Sequence, residues 1–238
     1  SDVDIANEGD SIIVYSTSGV DNGTVDIAGD GKSLTFKPAA NFYGSETFSY
    51  TIHDSVAASA TASVTVTVNA VNDAPVISDV TNQTIDEDST TDALSFTISD
   101  VDNSISCSNV TKSSNNTTKI PNANVVIGGS GTDCTVTVTP LANKNTYNTS
   151  AVTITLTISD GTLSRNDTFA VTITKINDAP SASADSGTVN EDNSISLSVL
   201  ANDTDIDTSN EGDTLTIFST ANVDNGTVSI ATDKLSLT

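Results

Sequence analysis

Residues 152–158 read Val-Thr-Ile-Thr-Leu-Thr-Ile, an unbroken alternation of apolar and polar side chains. A period of two places every apolar residue on one face of a β-strand, and β-branched residues are favoured in strands. Similar alternation occurs at 63–68, 134–139, 171–174 and 215–217. No stretch shows the 3.6-residue apolar period of an amphipathic helix. The pattern therefore predicts an all-β fold.

Turn-forming pairs such as Asn22-Gly23, Asp160-Gly161 and Asn225-Gly226 separate the alternating segments. Short strands with turn signals about every 8–12 residues are typical of β-sandwiches. Between residues 75 and 178 the pattern predicts seven strands, which is the number in an immunoglobulin-like sandwich. They lie near 76–85, 94–98, 105–111, 123–127, 134–139, 152–159 and 168–174.

Internal repeats divide the chain into modules of one kind. Residues 1–35 align without a gap with residues 204–238 and are identical at 20 of 35 positions. The motif Asn-Asp-Ala-Pro at 72–75 recurs at 177–180. Self-similarity at a fixed spacing is typical of tandem arrays. We predict a linear array of seven-stranded sandwiches: residues 1–72 without the opening strands, a complete module at 73–177, and residues 178–238 without the closing strands.

Composition restricts the partners of the chain. It has 31 acidic and 8 basic residues, a net charge of −23, which argues against binding nucleic acid or anionic membranes. No run of 18 apolar residues is present, so we expect no membrane insertion in this segment. The chain shows no signal peptide and does not begin with Met, so we expect a piece of a longer protein. Intrinsic disorder is the rival interpretation for so acidic a chain, but the regular alternation argues against it.

The two cysteines, Cys107 and Cys134, fall within the middle module. A disulfide and two free thiols are both compatible with the sequence. On the predicted strands, Cys107 lies in the third and Cys134 in the fifth, so a bond would join the two sheets. Such a bond would fit a secreted protein.

Acidic and amide side chains concentrate where the predicted modules meet. Ca²⁺ takes six to eight oxygen ligands, and a meeting point of several loops can supply them. We therefore predict Ca²⁺ at the joints. Candidate ligands are Asn72, Asp73, Asp100, Asp102, Asn103 and Asp160 at the first joint; Glu87, Asp88, Asn177, Asp178, Asp203, Asp205 and Asp207 at the second; and the related Asp2, Asp4, Asp54, Glu191 and Asp192 in the end modules.

Four features together carry a family resemblance: the Asn-Asp-Ala-Pro linkers, Glu87-Asp88, the Asp-x-Asp loop at 100–102, and the segment Asn-Phe-Tyr-Gly-Ser-Glu-Thr-Phe-Ser-Tyr-Thr-Ile at 41–52. The chain resembles the bacterial cadherin-like and immunoglobulin-like tandem repeats of large secreted adhesins, including those of the repeats-in-toxin type. The resemblance implies a Ca²⁺-stiffened extracellular segment at a cell surface, with other domains binding a host or biofilm ligand. By cadherin analogy the ligands are Asp73, Glu87, Asp100, Asp102, Asp178, Asp203, Asp205 and Asp207.

The expected function is structural and non-catalytic, with adjacent modules of the same array as the immediate partners. The only histidine, His53, lies in no nucleophile or zinc motif, and an EF-hand is excluded because Thr208 and Thr214 occupy the positions that require Gly and Glu. Two alternatives stay open. One is a module that binds carbohydrate or protein, although only ten Phe and Tyr residues are available for an aromatic platform. The other is a subunit of an extracellular filament.

Overall fold

The structure is a computed structural model that describes residues 11–210, 212–221 and 223–238. The chain forms two compact units, one ending at Asp73 and the other beginning at Ala74. In the part of the chain that is described, no helix is long and apolar enough to cross a membrane.

The first unit contains two small antiparallel sheets. Its strands are β1 (Ile13–Ser18), β2 (Gly23–Ile27), β3 (Leu34–Pro38), β4 (Gly44–His53) and β5 (Ser59–Val68). β4 is the centre of a three-stranded sheet in the order β1-β4-β5, and β2 pairs with β3. The buried Phe48 of β4 stacks on Phe36 of β3, with the ring centroids 6.0 Å apart. This contact joins the two sheets through an apolar side chain that the alternation of β4 turns inward.

Glu46 is a buried acid in the first unit. Its carboxylate accepts hydrogen bonds from the Asp21 backbone N–H at 2.7 Å and from Asn22 Nδ2 at 2.9 Å. The Asn22 bond and then the Asp21 bond lower the pKa of Glu46, because both stabilise its charged form. Glu46 therefore fixes the turn between β1 and β2 onto β4.

The middle module of the second unit is a two-sheet sandwich. Its strands are β6 (Val76–Ile77), β7 (Gln83–Asp86), β8 (Leu94–Ser99), β9 (Val110–Ser114), β10 (Val125–Ser130), β11 (Asp133–Val138), β12 (Val152–Ser159) and β13 (Ser164–Thr174). One sheet has the order β10-β11-β8-β6 and the other β7-β13-β12-β9. All these pairs are antiparallel except the parallel pair of β7 and β13. The predicted all-β class is confirmed.

The core of this module lies between the two sheets. The apolar positions of β12, Val152, Ile154, Leu156 and Ile158, are fully buried, whereas the threonines between them are partly exposed. Val136 and Val138 of β11 belong to the same core from the other sheet. Each fully buried aliphatic side chain contributes about 1.5–3 kcal/mol to stability. The alternation in sequence thus supplies the apolar face that holds the sandwich together.

Two predicted strands of the middle module are wrong in detail. The strand predicted over 76–85 is divided, because β6 pairs with β8 in one sheet and β7 pairs with β13 in the other. Between them the Val80 N–H donates to Asp167 Oδ2 at 2.9 Å. The strand predicted from residue 105 begins at Val110, because Cys107–Asn109 form a 3-10 turn.

Cys107 and Cys134 are joined by a disulfide. Cys134 lies in β11, whereas Cys107 lies in the 3-10 turn before β9, and not on a strand as predicted. The Cys107 N–H also donates to the Gly131 carbonyl at 2.9 Å. Because β11 and β9 belong to different sheets, the bond links the two layers of the sandwich.

Residues 178–238 are paired much more sparsely. Isolated bridges join Ser181 to Thr204, Leu197 to Leu237 and Ile230 to Leu237, and a one-turn helix, α1, spans Asp207–Asn210. We predicted a strand at Leu215-Thr216-Ile217, but no ladder forms there in the described residues. The predicted division into three modules stays a prediction.

Candidate metal centre

The linker after the middle module is held by Glu87. The parallel pair of β7 and β13 ends with Asp86 opposite Thr174, and the Glu87 N–H donates to the Thr174 carbonyl at 2.9 Å. The Glu87 side chain is only 4% exposed, and its Oε1 accepts the Ile176 N–H at 2.7 Å. A carboxylate that is buried this deeply requires such partners. Glu87 therefore fixes the first residues of the linker.

A loop ahead of β12 also approaches the Glu87-Asp88 turn. Asn145 Nδ2 lies 3.4 Å from both Glu87 carboxylate oxygens, and the Asn143 N–H donates to Asp88 Oδ1 at 2.8 Å. Asn145 is buried. Neither asparagine was predictable as part of this site, because the two residues lie 55 and 58 positions from their partners and belong to no repeated motif. The only indication in the sequence is that two amide side chains occur close together in the Asn-Lys-Asn stretch at 143–145.

The last module reaches the same linker through Asp207. Its Oδ2 accepts the Asp178 N–H at 2.6 Å, and the side chain is only 3% exposed. Asp205 Oδ1 in turn accepts the Asp207 N–H at 2.9 Å, where α1 begins. Residues 205–207, which also have the pattern Asp-x-Asp, therefore form a tight turn that directs Asp207 toward the linker.

These contacts place several carboxylates around Asp178. Burial raises the pKa of Asp178, and the charges of Asp207, Asp88, Glu87 and Asp205 raise it further. The direction follows because neighbouring negative charges disfavour ionisation of an acid. The structure thus brings together acids from the middle module, the linker and the last module.

The carboxylates do not form a closed coordination shell. Within the described residues, no three His, Cys, Asp or Glu side chains converge closely enough to hold a metal ion. Oxygen donors are nevertheless the ligands that Ca²⁺ prefers, and its coordination geometry is flexible. The donor chemistry around Asp178 fits Ca²⁺, whereas the absence of thiols and imidazoles does not suit zinc.

The other candidates near the second joint have separate contacts. Asn177 Nδ2 donates to the Asp178 carbonyl at 2.8 Å, and Asp203 Oδ1 accepts the Ser183 N–H at 2.7 Å. Glu191 and Asp192 lie in a turn of the last module where Asp192 has a φ of 65°. The described contacts do not connect that turn with the linker at 175–178.

Asp100 carries a second signal, at the opposite end of the middle module. Val76 at the start of β6 pairs with Ser99, so the Asp100 loop lies beside the point where the module begins. Asp100 Oδ1 accepts the N–H groups of Asp102 at 2.8 Å and Asn103 at 2.9 Å. Its Oδ2 is buried and has no hydrogen-bond partner among the described residues. An unsatisfied buried carboxylate oxygen is costly, and a cation would satisfy it.

The remaining candidates act in turns. Asp54 Oδ1 accepts the N–H groups of Val56 and Ala58, and Asp160 Oδ1 accepts those of Thr162 and Leu163. Asn72 Nδ2 donates to the Asp73 carbonyl at 3.2 Å, the same contact that Asn177 makes in the second linker. Asp2 and Asp4 lie outside the described residues.

Residues 1–67 and 177–238 match the family model described as a bacterial Ig domain. The chain belongs to the bacterial Ig domain family. The family match covers the regions that flank the middle sandwich, and it includes Asp178, Asp205 and Asp207. No curated protein matches the chain significantly.

Two solved structures of cadherin domains are similar to this bacterial Ig chain. Extracellular cadherin domains 1–5 of protocadherin gamma B2 match with a TM-score of 0.54 and 20% identity over 95% of the chain. The ectodomain of human desmocollin-1 matches with a TM-score of 0.39 and 13% identity over 73% of the chain. The chain spans 45% of the protocadherin structure and 36% of the desmocollin structure. The protocadherin match shows a cadherin-like fold.

Proposed function

We propose that the chain is a non-catalytic extender segment of a secreted, cell-surface adhesin or fibre, possessing linkers that Ca²⁺ stiffens. The observation that carries this proposal is the meeting of carboxylates from two modules at one linker, where the Asp178 N–H donates to Asp207 at 2.6 Å. Adjacent modules of the array are the direct partners. The parent protein is an adhesin of the repeats-in-toxin type, and its other domains bind the host or biofilm surface.

Electrostatics explains what Ca²⁺ would contribute. The charges of Glu87, Asp88, Asp205 and Asp207 oppose ionisation of Asp178. Repulsion between like charges therefore destabilises the linker when these acids are ionised. Ca²⁺ bound among these acids would compensate for that repulsion. Because no three of the described acids converge closely enough to hold a metal ion, binding requires the side chains to close around the ion. Glu87 and Asp207 are already bonded to the linker backbone, so an ion held by both would restrict its bending.

The Asp100 loop supports a second site in the same module. Its buried Oδ2 has no hydrogen-bond partner among the described residues, and a cation would satisfy it. With dissociation constants of ~10⁻⁴–10⁻³ M that are typical of extracellular modules, free Ca²⁺ at ten times the dissociation constant adds about 1.4 kcal/mol per site. Two sites in one module would thus stabilise it measurably.

Small-angle scattering and thermal unfolding of the whole chain test the proposal. In millimolar Ca²⁺ we expect a narrower distribution of chain dimensions and a higher melting temperature than in EDTA. The double variant Asp178→Asn with Asp207→Asn should lose most of this response, because it removes two central ligands. Asp192→Asn is the matched control, since it removes an acid from a turn that does not contact the linker. Superimposable scattering profiles with and without Ca²⁺ would contradict the proposal.

Carbohydrate binding is the second candidate function, because several aromatic side chains are exposed. Tyr15 is 64% exposed and stacks on His53 with the ring centroids 4.2 Å apart. Tyr43 of the same unit is also exposed. Stacked, exposed rings are suited to contact the apolar face of a sugar. Saturable binding on a glycan array that is lost in Tyr15→Ala would favour this function over the extender.

A further inference from the structure

Residues 143–149, here called the anchor loop, lie against the strand that leads into the second linker. The Thr146 N–H donates to the Ile173 carbonyl at 2.8 Å, and the Ile173 N–H donates to Thr146 Oγ1 at 2.9 Å. Both side chains are buried. The anchor loop is therefore attached to the end of β13, directly before the linker.

Lys119 holds the anchor loop from the connection between β9 and β10. Its Nζ donates to the Asn145 carbonyl and to Thr149 Oγ1, both at 2.6 Å. Burial lowers the pKa of Lys119, and the charge of Lys144 lowers it further. Hydrogen bonds from a charged donor are stronger than neutral ones, and partial withdrawal from water strengthens them. Lys119 thus restrains the anchor loop at both of these residues.

The anchor loop in turn contacts the beginning of the linker. Lys175 Nζ lies 4.5 Å from the centroid of the Tyr147 ring, a distance at which a cation is attracted to the face of the ring. Ile176 follows, and its N–H donates to Glu87 Oε1 at 2.7 Å. The Asn145 amide group contacts the same carboxylate. Residues 175 and 176 are therefore fixed to the middle module by groups that require no metal ion.

The last module holds the linker from Asp178 onward. The Asp178 N–H donates to Asp207 Oδ2 at 2.6 Å. Ser181 and Thr204 then exchange two backbone hydrogen bonds, at 2.8 and 3.0 Å. The chain after the linker is thus fixed to the last module, in the same way that residues 175 and 176 are fixed to the middle one.

We propose that the hinge of the second joint is Asn177, and that residues 175–176 stay fixed to the middle module when no Ca²⁺ is bound. Asn177 is the residue between the two anchored segments. Its Nδ2 donates to the carbonyl of the adjacent Asp178 at 2.8 Å, a contact within the linker itself. Lys119 and Tyr147 are positioning residues of this joint, because they reach the linker through the anchor loop. These contacts form without Ca²⁺, so the tests are carried out in EDTA, and a failed Ca²⁺ response would leave them unaffected.

Hydrogen exchange of the whole chain in EDTA, detected by NMR, tests fixation by the anchor loop. The Ile176 amide reports release of the linker, whereas the Leu156 amide in the buried strand β12 reports unfolding of the whole sandwich. In Lys119→Met we expect the ratio of the Ile176 rate to the Leu156 rate to rise about tenfold, because the variant removes both charged hydrogen bonds to the anchor loop.

Two further variants separate the anchor loop from a general loss of charge. Lys112→Met is the matched control, since Lys112 is a partly buried lysine of β9 in the same module, and its loss should leave the ratio unchanged. Tyr147→Leu removes the exposed ring that Lys175 contacts, and it should raise the ratio by a smaller factor than Lys119→Met. An unchanged ratio in both Lys119→Met and Tyr147→Leu, or an equal rise in Lys112→Met, would overturn fixation by the anchor loop.

Distances between two spin labels test the position of the hinge. Both native cysteines are in the disulfide, so labels can be attached at the exposed positions Thr168→Cys in the middle module and Ser186→Cys in the last. In EDTA, Asn177→Gly should widen the distribution of label distances, because glycine has access to more backbone conformations. Ser181→Gly is the control, since the backbone of Ser181 is bonded to Thr204. Equal widening in both variants, or none in Asn177→Gly, would overturn the assignment of the hinge.

Discussion

Residues 13–35 and 216–238 are two related copies of one repeat, and they differ in structure. In the first copy, β1 pairs with β4 and β2 with β3. In the second, the described pairing consists of the Ile230–Leu237 bridge and neighbouring backbone bonds. The bridge joins the counterparts of Ile27 and Leu34, which are also paired in the first copy. The two copies therefore agree within the hairpin and differ at the strand before it.

The agreement extends to the hairpin turn. The Ala28 N–H donates to Ser33 at 3.0 Å, and the Ala231 N–H donates to Ser236 at 2.9 Å. Gly31 and its counterpart Lys234 both have positive φ, 66° and 61°. The strand before the hairpin differs, because β1 pairs with the distant β4 in the first copy and no ladder is described at 216–221 in the second. Turn geometry is thus set by local sequence, whereas a ladder needs a distant partner.

Removal of the Phe48 ring should make the first copy resemble the second. Phe48 is buried against Phe36, and truncation of a buried Phe to Ala costs about 3–5 kcal/mol. In Phe48→Ala we expect the amides of β1 to exchange with solvent as fast as those of 217–221, measured by hydrogen exchange with NMR detection. Phe218→Ala is the control, and it should change the free energy of unfolding by less than about 0.5 kcal/mol. Retained protection of β1 in Phe48→Ala would show that its ladder does not depend on this core.

Substitution of Gly31 in the hairpin turn should destabilise the first unit less than Phe48→Ala does. A Cβ at Gly31 would lie 2.8 Å from the Ile13 Cβ, and its φ of 66° is unfavourable for a side chain. We expect Gly31→Lys to destabilise the first unit by about 2 kcal/mol in urea unfolding, from strain and overpacking. The second copy has Thr216 at the position of Ile13. Threonine keeps both crowded atoms of Ile13, the Cβ and the Cγ2, so the double variant Ile13→Thr with Gly31→Lys should recover none of the loss, and a recovery would exclude these contacts as its cause.

The reverse change is a smaller test on the second copy. Lys234 has a φ of 61°, which costs a non-glycine residue about 1–2 kcal/mol, whereas glycine loses about 0.5–1 kcal/mol in backbone entropy. Lys234→Gly should therefore stabilise the second unit by about 0.5 kcal/mol, seen as a higher urea midpoint. The control is Lys32→Gly, because Lys32 is also exposed but does not have a positive φ. A gain in stability in Lys32→Gly would indicate an effect of the lost charge.

A fall in pH should affect the Asp21-Asn22 turn and not the equivalent Asp224-Asn225 turn. This is the smallest effect that we expect. Hydrogen bonds from Asn22 and Asp21 hold the pKa of Glu46 below its usual range. Because the folded-state pKa is lowered, this stabilisation is present above the ordinary glutamate pKa and is lost as the pH falls through the folded value. The Asn22 side-chain amide resonances should shift in that acidic range, and those of Asn225 should not. The Glu46→Gln variant should abolish the Asn22 shift, and a shift that persists would have another origin.

The alternating sequence predicted a strand most accurately where all of its apolar residues face the core. Strand β12 has the predicted bounds, because each of its apolar residues faces the core. The division of 76–85 was not predictable, since it depends on pairing with β8 and β13 and on a bond to Asp167, 87 residues away. The alternation at 215–217 predicted a strand, but alternation does not reveal whether a neighbouring strand exists.

Candidate ligands were predictable as a set of acids, but their arrangement was not. The repeat of Asn-Asp-Ala-Pro indicated the linker, and the structure brings Glu87, Asp178 and Asp207 together there. The Asp-x-Asp pattern did not reveal that Asp100, Asp160 and Asp54 use one oxygen to cap turns. A carboxylate in a turn has the same sequence signature as a carboxylate at a ligand site, because both favour short polar loops.

The parallel pair of β7 and β13 determines how the middle module responds to mechanical tension. Tension applied at the start of β7 and at the end of β13 acts along the two strands. The backbone hydrogen bonds between residues 83–86 and residues 171–174 are therefore loaded in shear and must break together. Once they fail, the Cys107–Cys134 bond, with a sequence separation of 27, would withhold about 90 Å of chain from extension. When the module unfolds under force, its gain in length is therefore smaller than its number of residues alone would give.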